Sequence, residues 1–174
     1  MRSDLSIRPA TLSDIPVVRA LADIVFRKTY ADILSADQME YMMDWMYSER
    51  SLRCQIERPG KYFFIAELDD EAVGYVSYER DGLLGDGRTL FHLQKLYVLP
   101  QYHGLGVGSA MVAHVRNDII SRGENPARVE LNVNRGNPAV RFYERIGMRR
   151  ERQGDFPIGC GYYMNDYIYS FDIK

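Results

Sequence analysis

At 174 residues and 46% hydrophobic, the chain has material for one well-packed domain and too little for two. A formal net charge of -2 supplies no global basic field, which argues against a nucleic-acid partner, and no stretch approaches the roughly 20 apolar residues of a membrane span. Met1 to Asp4 lead into no apolar signal-like segment, and Cys54 and Cys160 stand far apart without clustered His or Cys partners, so the expectation is a cytoplasmic protein with ordinary thiols and no metal.

A first strand covers Leu5 to Arg8. Ser13 and Asp14 each have a side chain able to cap a helix that carries Ile15, Val18, Ala22, Val25 and Phe26 at helical spacing. Ser35 with Gln38 three residues on forms a capping box for a second helix, whose Met39, Met42, Met43 and Met46 recur at i, i+3, i+4 and i+7 as a core stripe. Asp37, Glu40 and Asp44 line another face of it, either solvated or turned to a cationic substrate. Cys54 falls in a further helix. Tyr62 to Leu68 and Ala72 to Glu79 read as an antiparallel hairpin joined by Asp69-Asp70-Glu71. A turn over Gly82 to Gly87 then leads to a long strand from Phe91 to Leu99, stopped by Pro100.

A helix from about Gly108 to Arg122 buries Met111, Val115 and Ile119 and ends at Gly123. The strand Arg128 to Val133 runs into Asn137-Pro138, an N-cap followed by proline at the first helical position. That short helix carries Ala139, Phe142, Tyr143 and Ile146, and Gly147 closes it. The tail from Tyr162 to Ile173 alternates enough for one or two last strands. With no linker, repeat or low-complexity segment, residues 1–174 read as one α+β domain.

Between the long strand and its helix stands Gln101-Tyr102-His103-Gly104-Leu105-Gly106-Val107-Gly108. Glycines at every second position free the backbone to curl, so that successive N–H groups point at one anion at the positive end of a helix. The loop lacks the Gly-Lys-Ser/Thr ending of a nucleotide P-loop, and Ser109 stands where a dinucleotide fingerprint requires its third glycine. A dinucleotide-binding domain also places this loop after its first strand, whereas helices and a hairpin come first here. A pyrophosphate of another kind is the expected ligand.

The order of hairpin, long strand, Gln101-x-x-Gly104-x-Gly106, helix, strand and then Asn137-x-Ala139-x-x-Phe142-Tyr143-x-x-x-Gly147-Met148 resembles the Gcn5-related N-acetyltransferases over essentially the whole chain. Phe26-x-x-Thr29-Tyr30 and Leu96-Tyr97-Val98-Leu99-Pro100 further resemble bacterial members that acetylate small amines, including PaiA-like polyamine acetyltransferases. The resemblance implies a mixed, mostly antiparallel twisted sheet of about six or seven strands, flanked by four or five helices. It implies acetyl-CoA as cosubstrate, with its pyrophosphate held by the amides of Leu105, Gly106, Val107, Gly108 and Ser109 in the motif that Gln101 and Gly104 open. The pantetheine arm would lie against Leu96, Val98 and Asn137, the last also an N-cap. His103 and Leu105 depart from the basic residues common in this loop, which shifts phosphate binding toward backbone amides and Arg141 or Arg145. Homodimers are a habit of the family.

The same resemblance makes Tyr143 the general acid for the departing thiolate. A primary amine with a pKa near 10.4 must first lose a proton, at a cost of about 4.6 kcal/mol at pH 7, so a base or water chain is needed. His92, one of three histidines, falls where several members keep a catalytic Glu or His; base and strand-packed histidine are both open readings. Gln94, two residues on and on the same face, is placed to hold a relaying water. Phe26 and Tyr30, with Tyr41 and Trp45, imply a closed pocket for a small-molecule amine. A protein or peptide acceptor, and a non-catalytic acyl-CoA sensor, are the alternatives. A ping-pong route through Cys54 or Cys160 lacks an activated thiolate.

Overall fold

A computed structural model of the chain describes residues 4–174. Its strands are β1 Leu5–Pro9, β2 Lys61–Leu68, β3 Glu71–Leu83, β4 Thr89–Val98, β5 Ala127–Asn134, β6 Arg149–Gly159 and β7 Tyr162–Ile173. They form one seven-stranded sheet in the order β1-β2-β3-β4-β5-β7-β6, antiparallel throughout except where β4 meets β5. The helices are α1 Ile15–Tyr30, α2 Ala36–Tyr47, α3 Glu49–Glu57, α4 Val107–Ser121 and α5 Ala139–Arg145. The mixed α+β architecture matches the expected one. None of the described helices is long and apolar enough to cross a membrane.

Each face of the sheet has its own core. On one face α4 lays Val107, Met111, Val115 and Ile119 over Phe91, Leu93, Val129 and Leu131, with α5 beside it. On the other, Val18 and Phe26 of α1, Met39 and Met42 of α2 and Leu52 of α3 cover Phe63, Ile65 and Tyr75. The methionine stripe of α2 is thus core, and Glu40 on its outer face pairs with Arg27. At the centre of the second core the Tyr47 and Tyr75 hydroxyls hydrogen-bond at 2.7 Å, which satisfies two groups that burial would otherwise strand.

Three local expectations change. Residues Leu12–Asp14 form a 3-10 turn before α1, and the Asp14 carboxylate turns back to Arg8 and the Thr11 N–H instead of capping the helix. Ser35 does cap α2, accepting from the Gln38 N–H at 3.2 Å. The β2–β3 turn is the pair Asp69-Asp70, both at positive φ (51° and 66°), the twist a two-residue hairpin turn requires. Gly82 lies inside β3 at an irregularity of its register with β4, because β3 runs on to Leu83. The tail supplies one strand, β7; its hairpin partner is β6, residues whose charged and largely exposed side chains hid an edge strand.

Two positions hold the sheet in register. Gly74 on β3 faces Val98 on β4, and a β-carbon there would sit 2.5 Å from the Tyr97 carbonyl oxygen. Gly74→Ala therefore forces two strands apart and is expected to cost on the order of 3 kcal/mol, read as a lowered midpoint in urea unfolding. Asp172 at the end of β7 accepts from Arg88 and Arg128 at 2.9 Å and Arg149 at 2.8 Å. The bond from Arg128 above all, opposed by partial burial, holds this carboxyl well below the usual range. Its contribution is full above the ordinary carboxylate pKa near 3.9 and is lost as pH falls further toward the folded value. Asp172→Asn should flatten the acid side of the stability profile below about pH 4, checked by denaturant titrations at stepped pH.

Candidate active site

β4 carries the site because its pairing with β5 stops early. The parallel ladder runs from Thr89 opposite Ala127 to Leu93 opposite Leu131, although β4 continues to Val98 and β5 to Asn134. On its other edge β4 stays with β3, where Tyr78 pairs with Leu93 and Ser77 with Lys95, leaving Gln94 as the extra residue of a β-bulge. β5 meanwhile stays with β7 as far as Asn134 opposite Asp166. A gap thus separates the backbone of Gln94 to Val98 from that of Asn132 to Asn134, with Leu96 along its edge. The Val98 carbonyl accepts from Nε2 of His103 at 2.9 Å.

The glycine loop follows at once. Gln101 lies in a 3-10 turn, Pro100–Tyr102, and Gly104 and Gly106 take φ of +80° and +82°, a region L side chains avoid. Gly106 caps α4, so the N–H groups of Val107, Gly108 and Ser109 have no partner within the helix. The third glycine has a different cause: a β-carbon on Gly108 would meet the Phe142 ring at 3.2 Å, so its absence lets α5 close on α4. From Ser109 a groove of about 210 Å³ runs between α4 and the end of α5, lined by Val112, Arg116, Gly147 and Met148. Leu105, Arg141 and Arg145 are exposed.

α5 positions Tyr143 and its cap positions Asn137. The Asn137 Oδ1 accepts from the Ala139 N–H at 2.9 Å, which caps the helix, although Pro138 stands just ahead of the first helical residue. The Asn137 amide donates to the Tyr30 hydroxyl at 3.5 Å, and the Tyr30 and Tyr97 hydroxyls are also 3.5 Å apart. Tyr143 is 7% exposed, and its hydroxyl makes no hydrogen bond to another described residue. Burial, then Tyr30, pushes the Tyr143 phenol well above its ordinary value; burial does the same to Tyr30 and Tyr97. All three are neutral donors at pH 7.

His92 lies one residue before the last β4–β5 pair, opposite Glu79 on one side and Glu130 on the other. Burial depresses its pKa below the usual value against the raising influence of Asp81, Glu79 and Glu130, so the imidazole is neutral at pH 7 and able to accept a proton. The Gln94 amide donates to Glu79 at 2.6 Å, on the edge of the same acidic group. Phe26 is 1% exposed and packs tilted against Tyr30 and edge-on against Tyr97, so it reaches the gap only through those rings. Tyr41 and Trp45 belong to another stack, with Tyr162 of the β6–β7 hairpin. Three polar side chains beside the gap go beyond the expected site residues: Tyr97, Asn132 and Asp166. For Asp166 the signal was present, an acid in the alternating run Met164, Asp166, Ile168, Ser170.

A model of the acetyltransferase (GNAT) family matches residues 27–148. A Mycobacterium tuberculosis protein named an uncharacterized N-acetyltransferase is 28% identical over 158 residues, 90% of this chain and 96% of its own. The PaiA N-acetyltransferase of Thermoplasma acidophilum, solved in complex with coenzyme A, has a similar fold, with a TM-score of 0.79 at 21% identity over 97% of this chain and 99% of its own. An Arabidopsis thaliana protein solved with the bisubstrate analogue CoA-Ac-MVNAL gives 0.67 at 18% identity, over 96% and 97%. With a glycine loop at the head of α4 and a parted β4–β5 pair beside it, the chain belongs to the GNAT family of acetyl-CoA-dependent N-acetyltransferases.

Proposed function

We propose that this protein moves the acetyl group of acetyl-CoA directly to a primary amine, and that the acceptor is a small molecule of the polyamine kind. The observation that carries the reading is the β4–β5 gap, which has a phosphate-type loop at its α4 end and a wall of polar side chains, buried Tyr30 and Asn137 and half-buried Tyr97, at its margin. The α4 amides suit the pyrophosphate, and the groove beyond Ser109 suits the nucleotide end of the same molecule. Backbone along Leu96 and Val98 suits the pantetheine, whose amides pair as a strand would. A largely buried margin fits a small acceptor better than an extended chain.

In this reading His92, held neutral by burial, receives the proton of the ammonium, with Gln94 beside it to hold a water. The amine nitrogen then attacks the thioester carbonyl, the carbon–sulfur bond breaks, and Tyr143 gives its proton to the sulfur. No acyl-enzyme is formed; both cysteines are exposed and neither lies on β4, β5 or α5. A peptide acceptor is the second reading, favoured by the exposed Trp45 beside Tyr41 and Tyr162, an aromatic rim able to seat a longer chain.

Acetyl-CoA-dependent thiol release against polyamines, amino acids, aminoglycosides and short peptides tests the function; turnover with polyamines alone supports the proposed acceptor, and turnover with peptides alone replaces it. Tyr143→Phe should lower kcat by about 10²- to 10⁴-fold while the acetyl-CoA dissociation constant stays within twofold, and unchanged turnover would remove its acid role. For His92 the sign follows from the depressed pKa: wild-type activity falls as pH drops through a value below 6.5, where the base becomes protonated. His92→Ala should abolish that limb of the kcat/KM profile, and an unaltered profile would leave His92 as packing.

A further inference from the structure

Asp166 has a charge that the protein leaves half met. It is 5% exposed, on the β7 face shared with Met164 and Ile168. Its Oδ2 accepts from the Asn132 amide at 3.2 Å, whereas Oδ1 is buried with no hydrogen-bond partner among the described residues. Asn134, directly opposite, is turned away, its Oδ1 accepting from the Gly136 N–H at 2.9 Å. The cation that acts on Asp166, Arg135, has its guanidinium on Asp155 at 2.5 Å. Burying a carboxylate oxygen unpaired is costly, so the group calls for a use beyond packing.

Its place supplies the missing use. Asp166 stands level with Asn134, beyond the last β4–β5 pair and so beside the open stretch, while His92 stands at the closed end of it. The Tyr30 phenol, which reaches Tyr97 and Asn137, is within electrostatic range of Asp166. We propose that Asp166 is the anionic anchor of the acceptor site, its free Oδ1 taking the ammonium group of a primary amine that enters the gap from the face of α1 to α3. The proposal rests on the acetyl-transfer reading and deepens it: the acceptor must arrive as a cation. Tyr30 and Asn132 frame the anchor, and the ammonium supplies the donors that Oδ1 lacks. Burial lifts the Asp166 carboxyl above its ordinary value, against the lowering influence of Asn132 and Arg135.

Asp166→Asn keeps the shape and removes the charge. The probe is spermidine, or the peptide of the panel if wild-type protein acetylates only that; the readouts are kcat and KM for the probe, the acetyl-CoA dissociation constant and the thermal midpoint. The expected result is a loss of at least fiftyfold in kcat/KM, mostly through KM, with acetyl-CoA affinity within twofold and a midpoint unchanged or raised, since an unpaired buried charge has been removed. Retention of wild-type kcat/KM overturns the anchor and leaves acetyl transfer standing. A variant that misfolds, or that loses stability and acetyl-CoA binding together, also overturns it, because the residue is then structural. Wild-type protein that binds acetyl-CoA yet acetylates no amine overturns the transfer reading and the anchor with it.

Discussion

The parting of β4 from β5 after five residues of parallel pairing is the constraint on which the rest of the molecule turns. Each strand is held from its far side. β4 follows β3 to Gly74 opposite Val98, an approach so close that only glycine fits, and the bulge at Gln94 bends it that way. β5 follows β7 to Asn134 opposite Asp166. Parallel pairs are slightly weaker per residue than antiparallel ones and neighbouring strands diverge by their twist, so where the two outer ladders pull apart the weaker inner one yields. The result is unpaired main chain in the middle of a sheet, a costly feature that persists where a ligand uses it.

The gap also joins two environments that the sheet otherwise keeps separate. On the side of α4 and α5 lie helix-end amides and an open groove suited to a long anionic molecule. On the side of α1 to α3 lies a margin of phenols, amides and a carboxylate. Tyr143 is rooted in the first core, yet Tyr30 of the second acts on its phenol, and it acts in turn on the phenol of Tyr97. In the proposed reaction a proton donor at that crossing would serve a leaving group that arrives from one face and a nucleophile that arrives from the other.

Much of this was legible in the residues, because it depends on local chemistry. Ser35 and Gln38 mark the start of α2, and the glycines of residues 104–108 mark a loop that only positive φ can close. Long-range choices were not legible. β6 begins Arg-Arg-Glu-Arg, a composition that masks a strand and is explained only by its position at the sheet edge, where charge deters further pairing. Asp14 has the side chain of a helix cap, but the guanidinium of Arg8, across the turn from β1, outbids the helix for it. The bulge at Gln94 is decided by β3 and has no mark of its own in β4. Phe26 shows its aromatic character but not its direction, and it turns inward behind Tyr30.

The single parallel seam has a consequence for how the molecule comes into being. β2, β3 and β4 follow one another in the chain and pair through short connections, as do β6 and β7, whereas β1 reaches β2 only across α1 to α3. The β4–β5 seam waits for α4 to be laid down between its strands, and β5 meets β7 only after α5 and β6 have been passed. Non-local pairings are slow because loop closure is required before they bring any return. The β2–β3–β4 and β6–β7 hairpins are therefore expected to assemble first, and the pairings that close long loops, β1–β2, β5–β7 and the seam at the margins of the gap, later during folding.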